Sequence, residues 1–387
     1  MSFELPRRRA LDQVIRPTRT EISVAALRHN LSAIRALAKP ADVLAVVKAN
    51  AYGHGAVQVA RVLEDEGVSM LGVALIEEGL ELRNAGVKTP VLVMGGSYHG
   101  GYQLMVEHGL TPTLFREEHI KGLVEAAHKT GKPATAHLKL DTGMSRLGVA
   151  PAELPRFLTL LRGARGAIEV EGFLSHFSSA DVEDSALTPL QLQRFKEGLK
   201  TVRDAGFNPK WRHLSNSAGL LAHGEAQDGL DVNLARPGLV LYGIAPEPWL
   251  AEKVKLSRVM AWKTGVIHLH QVEAGTPVSY GATWTAPRRS LIATLPVGYA
   301  DGYSRVYSGK AQVLIRGRRA PVVGRVTMDM CMVDVTDVPG VAMHDEVVLL
   351  GSQGNERVEA EELGRFAETL HYEILCSVGA RVPRLLV

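Results

Sequence analysis

The chain has 387 residues, which is enough for two domains and a large hydrophobic core. Hydrophobic residues make up 46% and charged residues 22%, as in ordinary globular proteins, and a net charge of +3 is too small to indicate a nucleic-acid partner. No apolar stretch is long enough to span a membrane, and none follows Arg7-Arg8-Arg9 as a secretory signal requires. Cys331 and Cys376 are too few for a disulfide framework and predict reduced thiols in a cytoplasmic protein.

The first strong pattern is an apolar run at 43–47 that ends at Lys48 and is followed by a glycine-rich segment, 52–55. A run this short predicts a buried strand. Lys48 would lie at its carboxyl end, where burial favours the neutral amine that can form a Schiff base. A lysine at a strand end can also simply reach solvent, so the strand alone leaves both interpretations open. The glycines favour the chemical one, because glycine lets a backbone approach a ligand closely.

From residue 40 onward, short apolar runs alternate with amphipathic segments. The clearest helix starts at Thr188-Pro189 and places Phe195 and Leu199 on one face. Eight strands alternating with helices predict a (β/α)8 TIM barrel, although a doubly wound parallel sheet fits the alternation nearly as well. The predicted strands are 43–47, 71–75, 91–94, 111–115, 134–140, 168–174, 212–215 and 232–236.

Polar residues follow the predicted strands, and their positions favour the barrel. Barrel enzymes build their active sites after the carboxyl ends of many strands. The last two loops, 216–219 and 237–239, contain small residues whose backbone N–H groups suit phosphate binding. No nucleotide-binding glycine motif is present in the sequence. The polar groups concerned are Lys48, Asp141 to Arg146, His176, Asn216-Ser217 and Arg236.

The pattern changes after Pro246-Glu247-Pro248, and the second half is predicted to be mainly β. Alternation with period two runs through 266–272, 311–316, 321–326 and 330–335, and a single helix is predicted near 359–370. His268 and His270 share one strand face but have no third ligand in view, so no metal site is predicted. The predicted domains are a barrel at 20–250 and a mainly β domain at 251–387 that includes the N-terminal arm, 1–19.

Nearly the whole chain resembles the alanine racemases, in the family's own motif order. The resemblance implies a (β/α)8 barrel with a mainly β second domain, pyridoxal 5'-phosphate as cofactor, and a homodimer that shares its active sites between chains. It also implies interconversion of L- and D-alanine to supply peptidoglycan. The motifs that carry it are AVVKANAYGHG, LKLDTGMSRLG, SHFSSAD, NSAG, ARPGLVLYG, VSYGATW, VGYADGY, VTMDM and YEILCSVGARVPR.

By this resemblance, Lys48 holds the cofactor as a Schiff base, and Lys48 and Tyr280 are opposed catalytic bases. Racemisation removes a proton from one face of Cα and returns it to the other, so bases must flank that carbon. A phenol with an ordinary pKa near 10 needs help to act as a base at neutral pH. The counterpart of His176 in the family bonds this tyrosine, which makes His176 the natural helper. Packing roles for Tyr280 and His176 are the alternatives.

Arg236 matches the residue that contacts the pyridine nitrogen of the cofactor, although a structural ion pair would also explain an arginine there. An arginine cannot accept a proton, which argues against decarboxylation or transamination. Arg146 matches the group on the cofactor's phenolic oxygen near the substrate carboxylate. Lys139 matches a lysine that many members carry as a carbamate.

The resemblance also assigns the remaining contacts. Met328 matches the residue whose backbone N–H meets the substrate carboxylate, and it follows Thr327 where many relatives have cysteine. The residues that match the substrate entrance are Tyr299, Arg305 and Asp329. Those that match phosphate contacts of the cofactor are Tyr52, Ser217, Gly238, Leu239 and Tyr372, and Asn216 is a further cofactor-binding residue.

Three alternative functions remain at this stage. A decarboxylase on the same architecture would be expected to carry an acidic group where Arg236 stands. A non-catalytic carrier of pyridoxal phosphate would lack the second domain and therefore Tyr280. A racemase acting on serine or a basic amino acid differs in pocket width, which a sequence does not reveal.

Overall fold

The computed structural model describes residues 15–96, 100–224 and 231–387, so the Arg7-Arg8-Arg9 run and most of the N-terminal arm lie outside the described residues. The chain forms two compact units. Among the described residues, the barrel unit comprises Ala26–Ala51 and Ala56–Ser257, and the β unit comprises 15–25, Tyr52–Gly55 and Arg258–Val387. The domain boundaries predicted from the sequence remain a prediction.

Strand β1 (Arg19–Ile22) belongs to the β unit, and the barrel elements follow it along the chain. They alternate in the order α1 (Val24–Ala38), β2 (Asp42–Val46), α2 (Ala56–Asp65), β3 (Met70–Val73), α3 (Ile76–Asn84), β4 (Val91–Val93), α4 (Gly101–Glu107), β5 (Leu110–Leu114), α5 (Glu117–Thr130), β6 (Ala134–Lys139), α6 (Leu154–Gly163), β7 (Ile168–Leu174), α7 (Leu187–Asp204), β8 (Trp211–His213), α8 (Ser217–His223), β9 (Leu234–Ala235) and α9 (Pro248–Ala251).

Strands β2 to β9 pair in parallel in the order β8-β7-β6-β5-β4-β3-β2-β9. The two ends of this series meet, because Asn233 N donates to Arg212 O at 2.9 Å and Arg236 N donates to Ser215 O at 3.0 Å. The result is a nearly closed barrel, as predicted, and the doubly wound alternative is wrong. All eight predicted strands are present, with ends that differ by at most two residues.

Strands β3 and β4 are apolar along their whole length because both of their faces are covered. Every residue of β3, β4 and β5 is buried, which is the usual state of parallel strands beneath helices. Helix α7 packs Phe195 against Phe173 of β7, with ring centroids 5.0 Å apart. The barrel strands also contain buried polar residues, among them His137 of β6 and His213 of β8.

The elements of the β unit after β1 are β10 (Met260–Gly265), β11 (His268–Val272), β12 (Pro277–Val278), β13 (Trp284–Thr285), β14 (Ser290–Leu295), β15 (Gln312–Ile315), β16 (Arg318–Val323), β17 (Cys331–Asp334), β18 (Glu346–Gln353), β19 (Glu356–Val358), α10 (Ala360–Ala367), α11 (His371–Cys376) and β20 (Arg384–Leu386). The unit contains a ten-stranded sheet in the order β11-β14-β17-β16-β15-β18-β10-β1-β20, with β19 on β18. Strand β1 pairs antiparallel with β10 and parallel with β20, so residues near both ends of the chain belong to one sheet.

The helix predicted near 359–370 is present as α10, but the prediction that it is the single helix of this half is wrong. Helix α10 ends at Ala367 because Glu368 adopts φ +53°, and Thr369 N donates back to Gly364 O at 3.0 Å. A left-handed residue followed by such a bond is a common helix stop. A second helix, α11, then carries Tyr372.

No helix within 15–96, 100–224 and 231–387 combines the length and the apolar character needed to cross a bilayer.

Two glycines of the β unit differ in how closely the backbone packs around them. Gly302 (φ +95°) and Gly309 (φ +68°) are both left-handed. A Cβ added at Gly302 would lie 2.0 Å from Ser377 O, whereas a Cβ added at Gly309 would point into open space. We expect Gly302→Ala to lower the free energy of unfolding by about 2 kcal/mol more than Gly309→Ala, since only the first adds a clash to the left-handed strain. Urea unfolding followed by circular dichroism measures the difference, and equal losses would contradict it.

Candidate active site

Lys48 follows β2 at the carboxyl end of the barrel strand, where the sequence predicts it. The four residues after it, Ala49 to Tyr52, have φ values of 52°, 53°, 53° and 51°. Each non-glycine residue in this left-handed region costs about 1–2 kcal/mol, so neighbouring groups must stabilise the turn. The Glu78 carboxylate accepts a hydrogen bond from Ala49 N at 2.6 Å, and Asn50 Oδ1 accepts one from Ala56 N at 2.7 Å. The backbone beside Lys48 is therefore held in a high-energy conformation.

Four cationic side chains lie close together in the barrel unit. Burial is the main reason that the pKa of Lys139 falls to about 8, and the charges of Arg236, Arg146 and Lys48 lower it further. Asp141 acts in the opposite direction and raises it. The net effect is an excess of positive charge, which favours an anionic ligand.

Arg236 is the buried centre of this group, with 3% of its surface exposed. It donates to Ser175 O at 2.6 Å, Leu214 O at 2.9 Å, His213 Nδ1 at 2.9 Å and His176 Nδ1 at 3.1 Å. Because arginine has no acceptor, both histidines must present an unprotonated Nδ1. Burial, followed by the charge of Arg236, holds the pKa of both histidines well below the usual value, so both are neutral.

The same donor fixes the tautomers of residues further away. His213 accepts at Nδ1, so its Nε2 carries the proton and donates to His137 Nδ1 at 2.9 Å. His137 then carries its proton on Nε2, which lies 3.8 Å from the Glu171 carboxylate, longer than a hydrogen bond. The sequence prediction missed His137, His213 and Glu171. The sequence contained a signal that could have identified them, because all three are polar residues inside predicted strands.

The tautomer of His176 is fixed in the same way, by the hydrogen bond from Arg236. With Nδ1 accepting from Arg236, the neutral ring carries its proton on Nε2. Asn216 Nδ2 lies 3.4 Å from that nitrogen, and since both atoms then carry hydrogen this approach is a contact and not a bond. Asn216 instead caps α8 by accepting from Gly219 N at 2.9 Å. His176 therefore presents a donor.

The predicted phosphate loops come together in the barrel unit. Ser217 Oγ accepts a hydrogen bond from Gly238 N at 2.9 Å, and Leu239 is buried directly after it. The loop that carries Arg146 is shaped by Asp141, whose Oδ1 accepts from Gly143 N at 2.9 Å and Ser145 N at 3.1 Å. These turns leave the Arg146 side chain exposed.

Within the β unit, Tyr52 and Tyr372 lie close to each other. Burial raises the pKa of Tyr52, and the neighbouring Tyr372 and Cys376 raise it further. The prediction that glycines here admit a ligand needs a correction at Gly53, where a Cβ would lie 2.0 Å from Leu375 O. The close approach at this glycine is to the protein's own backbone.

Three neighbouring loops of the β unit carry the other predicted site residues. Ser279 Oγ donates to Arg325 O at 2.8 Å, and Tyr299 N donates to Thr327 O at 3.0 Å, which joins the loops. Thr327, in place of cysteine, closes its turn by donating through Oγ1 to Met330 O at 2.8 Å. The side chains on these loops are exposed, namely Tyr280 (74%), Met328 (54%) and Tyr299 (43%), together with Asp329 and Arg305. Exposed apolar groups of this size typically mark an interaction surface.

Known proteins resemble the chain in both sequence and structure. Residues 22–246 match the family model for the N-terminal domain of alanine racemase, and residues 259–386 match that for the C-terminal domain. An alanine racemase of Symbiobacterium thermophilum is 45% identical over 370 residues, covering 96% of this chain and 97% of that protein. An alanine racemase structure from Clostridium difficile has a TM-score of 0.90 at 34% identity, with 97% and 96% covered. One from Bartonella henselae with covalently bound pyridoxal phosphate has a TM-score of 0.82 at 29% identity, with 96% and 99% covered.

The low pKa of Lys139 predicts that the free energy of unfolding depends on pH. Below pH 8 the amine is charged in both the folded and the unfolded chain, so the cost of burying the charge is fully present. The cost disappears as the pH rises from about 8 toward the ordinary value of 10.5. Between pH 7 and 9.5 we expect the stability of the wild type to rise by about 2 kcal/mol relative to Lys139→Met. Urea unfolding in bicarbonate-free buffer tests this.

The exposed Lys129→Met is the matched control and should show no such change with pH. A constant difference between wild type and Lys139→Met would contradict the prediction.

Proposed function

Because the chain belongs to the alanine racemase family, a family of pyridoxal-phosphate-dependent isomerases, we propose that it interconverts L-alanine and D-alanine. The proposal extends to a cytoplasmic role in supplying D-alanine for peptidoglycan. The observation that carries it is the convergence of Lys48 and Arg236 with two further cations at the strand ends of a barrel. That arrangement suits an anionic cofactor with a carbonyl group and an acceptor nitrogen.

The residues present fit pyridoxal phosphate on chemical grounds. Its phosphate and phenolic oxygen are anionic, which matches the excess positive charge, and its ring nitrogen can accept from the donor-only Arg236. When bound, the cofactor supplies an electron sink that acidifies the Cα proton of the amino acid. The residues that would hold it are Lys48, Tyr52, Arg146, His176, Asn216, Ser217, Arg236, Gly238, Leu239 and Tyr372.

In this proposal Lys48 and Tyr280 exchange protons with opposite faces of Cα. His176 presents an Nε2–H donor, because Arg236 occupies its Nδ1. A hydrogen bond from this group to the Tyr280 oxygen would stabilise negative charge there and so help that oxygen to act as a base. Arg236 thus supports the second base through His176.

The substrate carboxylate is assigned to Arg146 and the Met328 backbone N–H, with Tyr299, Arg305 and Asp329 at the entrance. These groups bind and orient the substrate without taking its proton. Arg146 suits a carboxylate because its planar guanidinium can donate two parallel hydrogen bonds.

Lys139 is a candidate for carbamylation. A pKa of about 8 leaves part of the amine neutral near physiological pH, and the neutral amine is the form that attacks CO₂ and then releases a proton. The product would place a negative charge beside Arg146 and Arg236, which relieves the repulsion among the cations. In protein supplied with ¹³C-bicarbonate, a carbamate resonance that persists in Lys139→Met would contradict this assignment.

The function is tested by incubating the purified protein, supplied with pyridoxal phosphate, with L-alanine and measuring D-alanine. L-Serine and L-lysine assayed in parallel decide the substrate. If serine or lysine is turned over faster than alanine, that amino acid becomes the assigned substrate. If none of the three is racemised, the proposal is refuted.

Lys48 is predicted to carry the cofactor. Borohydride reduction should fix the cofactor to the peptide that contains Lys48, and peptide mass spectrometry would identify it. Lys48→Ala should retain the cofactor only loosely, whereas the exposed Lys39→Ala should still be labelled at Lys48. Label on any other lysine would contradict the assignment.

We further propose that Tyr280 serves the active site of a partner chain in a homodimer. The support is the 74% exposure of Tyr280 on a surface that also presents Met328 and Tyr299, an arrangement suited to cover by a second molecule. A twofold dimer would then contain two identical sites, each built from both chains.

Mixed dimers of two inactive variants test the shared site. Lys48→Ala and Tyr280→Phe should each be almost inactive alone. If they are unfolded and refolded together, about half the dimers are mixed, and each mixed dimer has one site with both lesions and one with neither. We therefore expect about a quarter of wild-type activity. Background activity, with mixed dimers shown to form by mass spectrometry, would mean that Tyr280 serves its own chain.

A further inference from the structure

Asp301 is a fully buried carboxylate in the β unit and is not among the residues proposed to bind cofactor or substrate. Its side chain is 0% exposed and accepts hydrogen bonds from Arg381 Nε at 2.7 Å, Arg381 Nη2 at 3.1 Å, Arg16 Nη2 at 2.7 Å and Gly298 N at 3.1 Å. Burial alone would raise its pKa, but the bonds from Arg381 and Arg16 outweigh burial and hold the pKa below the usual value. Asp301 is therefore a permanent buried anion that binds two guanidinium groups.

Arg381 extends this interaction to the protein surface. Its Nη2 also donates to Asp329 Oδ1 at 2.7 Å, so one guanidinium bridges the buried Asp301 and an exposed carboxylate. An isolated surface ion pair contributes little to stability. This one differs because the two hydrogen bonds that Arg381 donates to Asp301 fix the plane of the guanidinium that also contacts Asp329.

The segment 298–301, which ends at Asp301, also holds the turn at 327–330 through backbone hydrogen bonds. Tyr299 N donates to Thr327 O at 3.0 Å, and Ala300 N donates to Met328 O at 3.0 Å. Gly298 packs so closely that a Cβ there would lie 2.3 Å from Thr327 O. Asp301 closes this segment by accepting from Gly298 N. The position of the Met328 peptide therefore depends on Asp301 through both the backbone and Arg381.

We propose that Asp301 and Arg381 are positioning residues that orient the Met328–Asp329 turn toward the substrate carboxylate. This inference rests on the proposed function, in which the Met328 N–H meets that carboxylate. Arg381 has two effects: it fixes the turn, and it pairs the negative charge of Asp329. Without Arg381, the Asp329 carboxylate would repel an anionic substrate group nearby. Both effects act on substrate binding rather than on proton transfer.

The test compares three variants of the holoenzyme. Arg381→Met removes the bridge, Asp301→Asn removes the buried charge, and Arg16→Met is the control that removes the other guanidinium but leaves the bridge intact. The probe is propionate, which has the carboxylate of alanine but no amine, and its Kd is measured by calorimetry. Steady-state kinetics with L-alanine gives KM and kcat separately.

We expect Arg381→Met and Asp301→Asn to raise the KM for alanine and the Kd for propionate about tenfold, the effect of losing one charge-assisted hydrogen bond. The value of kcat should stay within about threefold, and Arg16→Met should change KM and Kd by no more than about twofold. Adding Asp329→Asn to Arg381→Met should restore part of the propionate affinity, because the unpaired charge is removed.

The results separate this inference from the proposed function. If Arg381→Met binds propionate and alanine like the wild type, the inference is wrong. It is also wrong if Arg16→Met loses as much affinity as Arg381→Met, since the network would then only stabilise the fold. If Asp301→Asn does not fold, Arg381→Met and its double variant decide the question. A wild-type protein that binds propionate but racemises no amino acid refutes the proposed function. The propionate measurements on the variants would still test whether Asp301 and Arg381 orient the Met328–Asp329 turn for carboxylate binding.

Discussion

The buried guanidinium of Arg236 determines the chemical state of the groups around it. Arginine can only donate, so each ring that meets it must accept, and the protons of His176 and His213 move to their other nitrogens. His213 in turn donates to His137 Nδ1, which places the proton of His137 on its Nε2. A lysine in place of Arg236 would lack the planar fork that reaches two rings and two carbonyl groups at once. The arrangement therefore depends on this residue type.

A second consequence of Arg236 is electrostatic. Its charge adds to those of Lys48 and Arg146, and with burial it brings the pKa of Lys139 to about 8. A protein does not normally gather like charges at the end of a barrel without a partner of opposite charge. The strained left-handed turn after Lys48, supported by Glu78, indicates in the same way that local stability is reduced where a ligand is expected. Charge and backbone conformation thus indicate the same functional edge.

The β unit contributes in a different manner, by rigid presentation of exposed groups. Tyr280 and Met328 lie on neighbouring loops, and exposed apolar side chains of this size are costly unless another surface covers them. The loops themselves are not loose, because backbone hydrogen bonds and the buried Asp301 hold them. Rigid loops that carry exposed reactive groups suit a site completed by a second chain, since little order must be gained on association.

The sequence by itself determined the eight strands and the position of Lys48 at a strand end, because apolar periodicity and strand ends are local properties. The polar groups that follow those strands favoured a barrel over a doubly wound sheet. The resemblance of the motifs added the residues of the candidate site. Only the tertiary structure decided which groups meet. His137 and His213 are brought together by the pairing of parallel strands, and Asp301 meets Arg381 through a loop closure that no local pattern encodes. Hydrogen-bond partners far apart in sequence depend on register and packing, and these exist only in the folded chain.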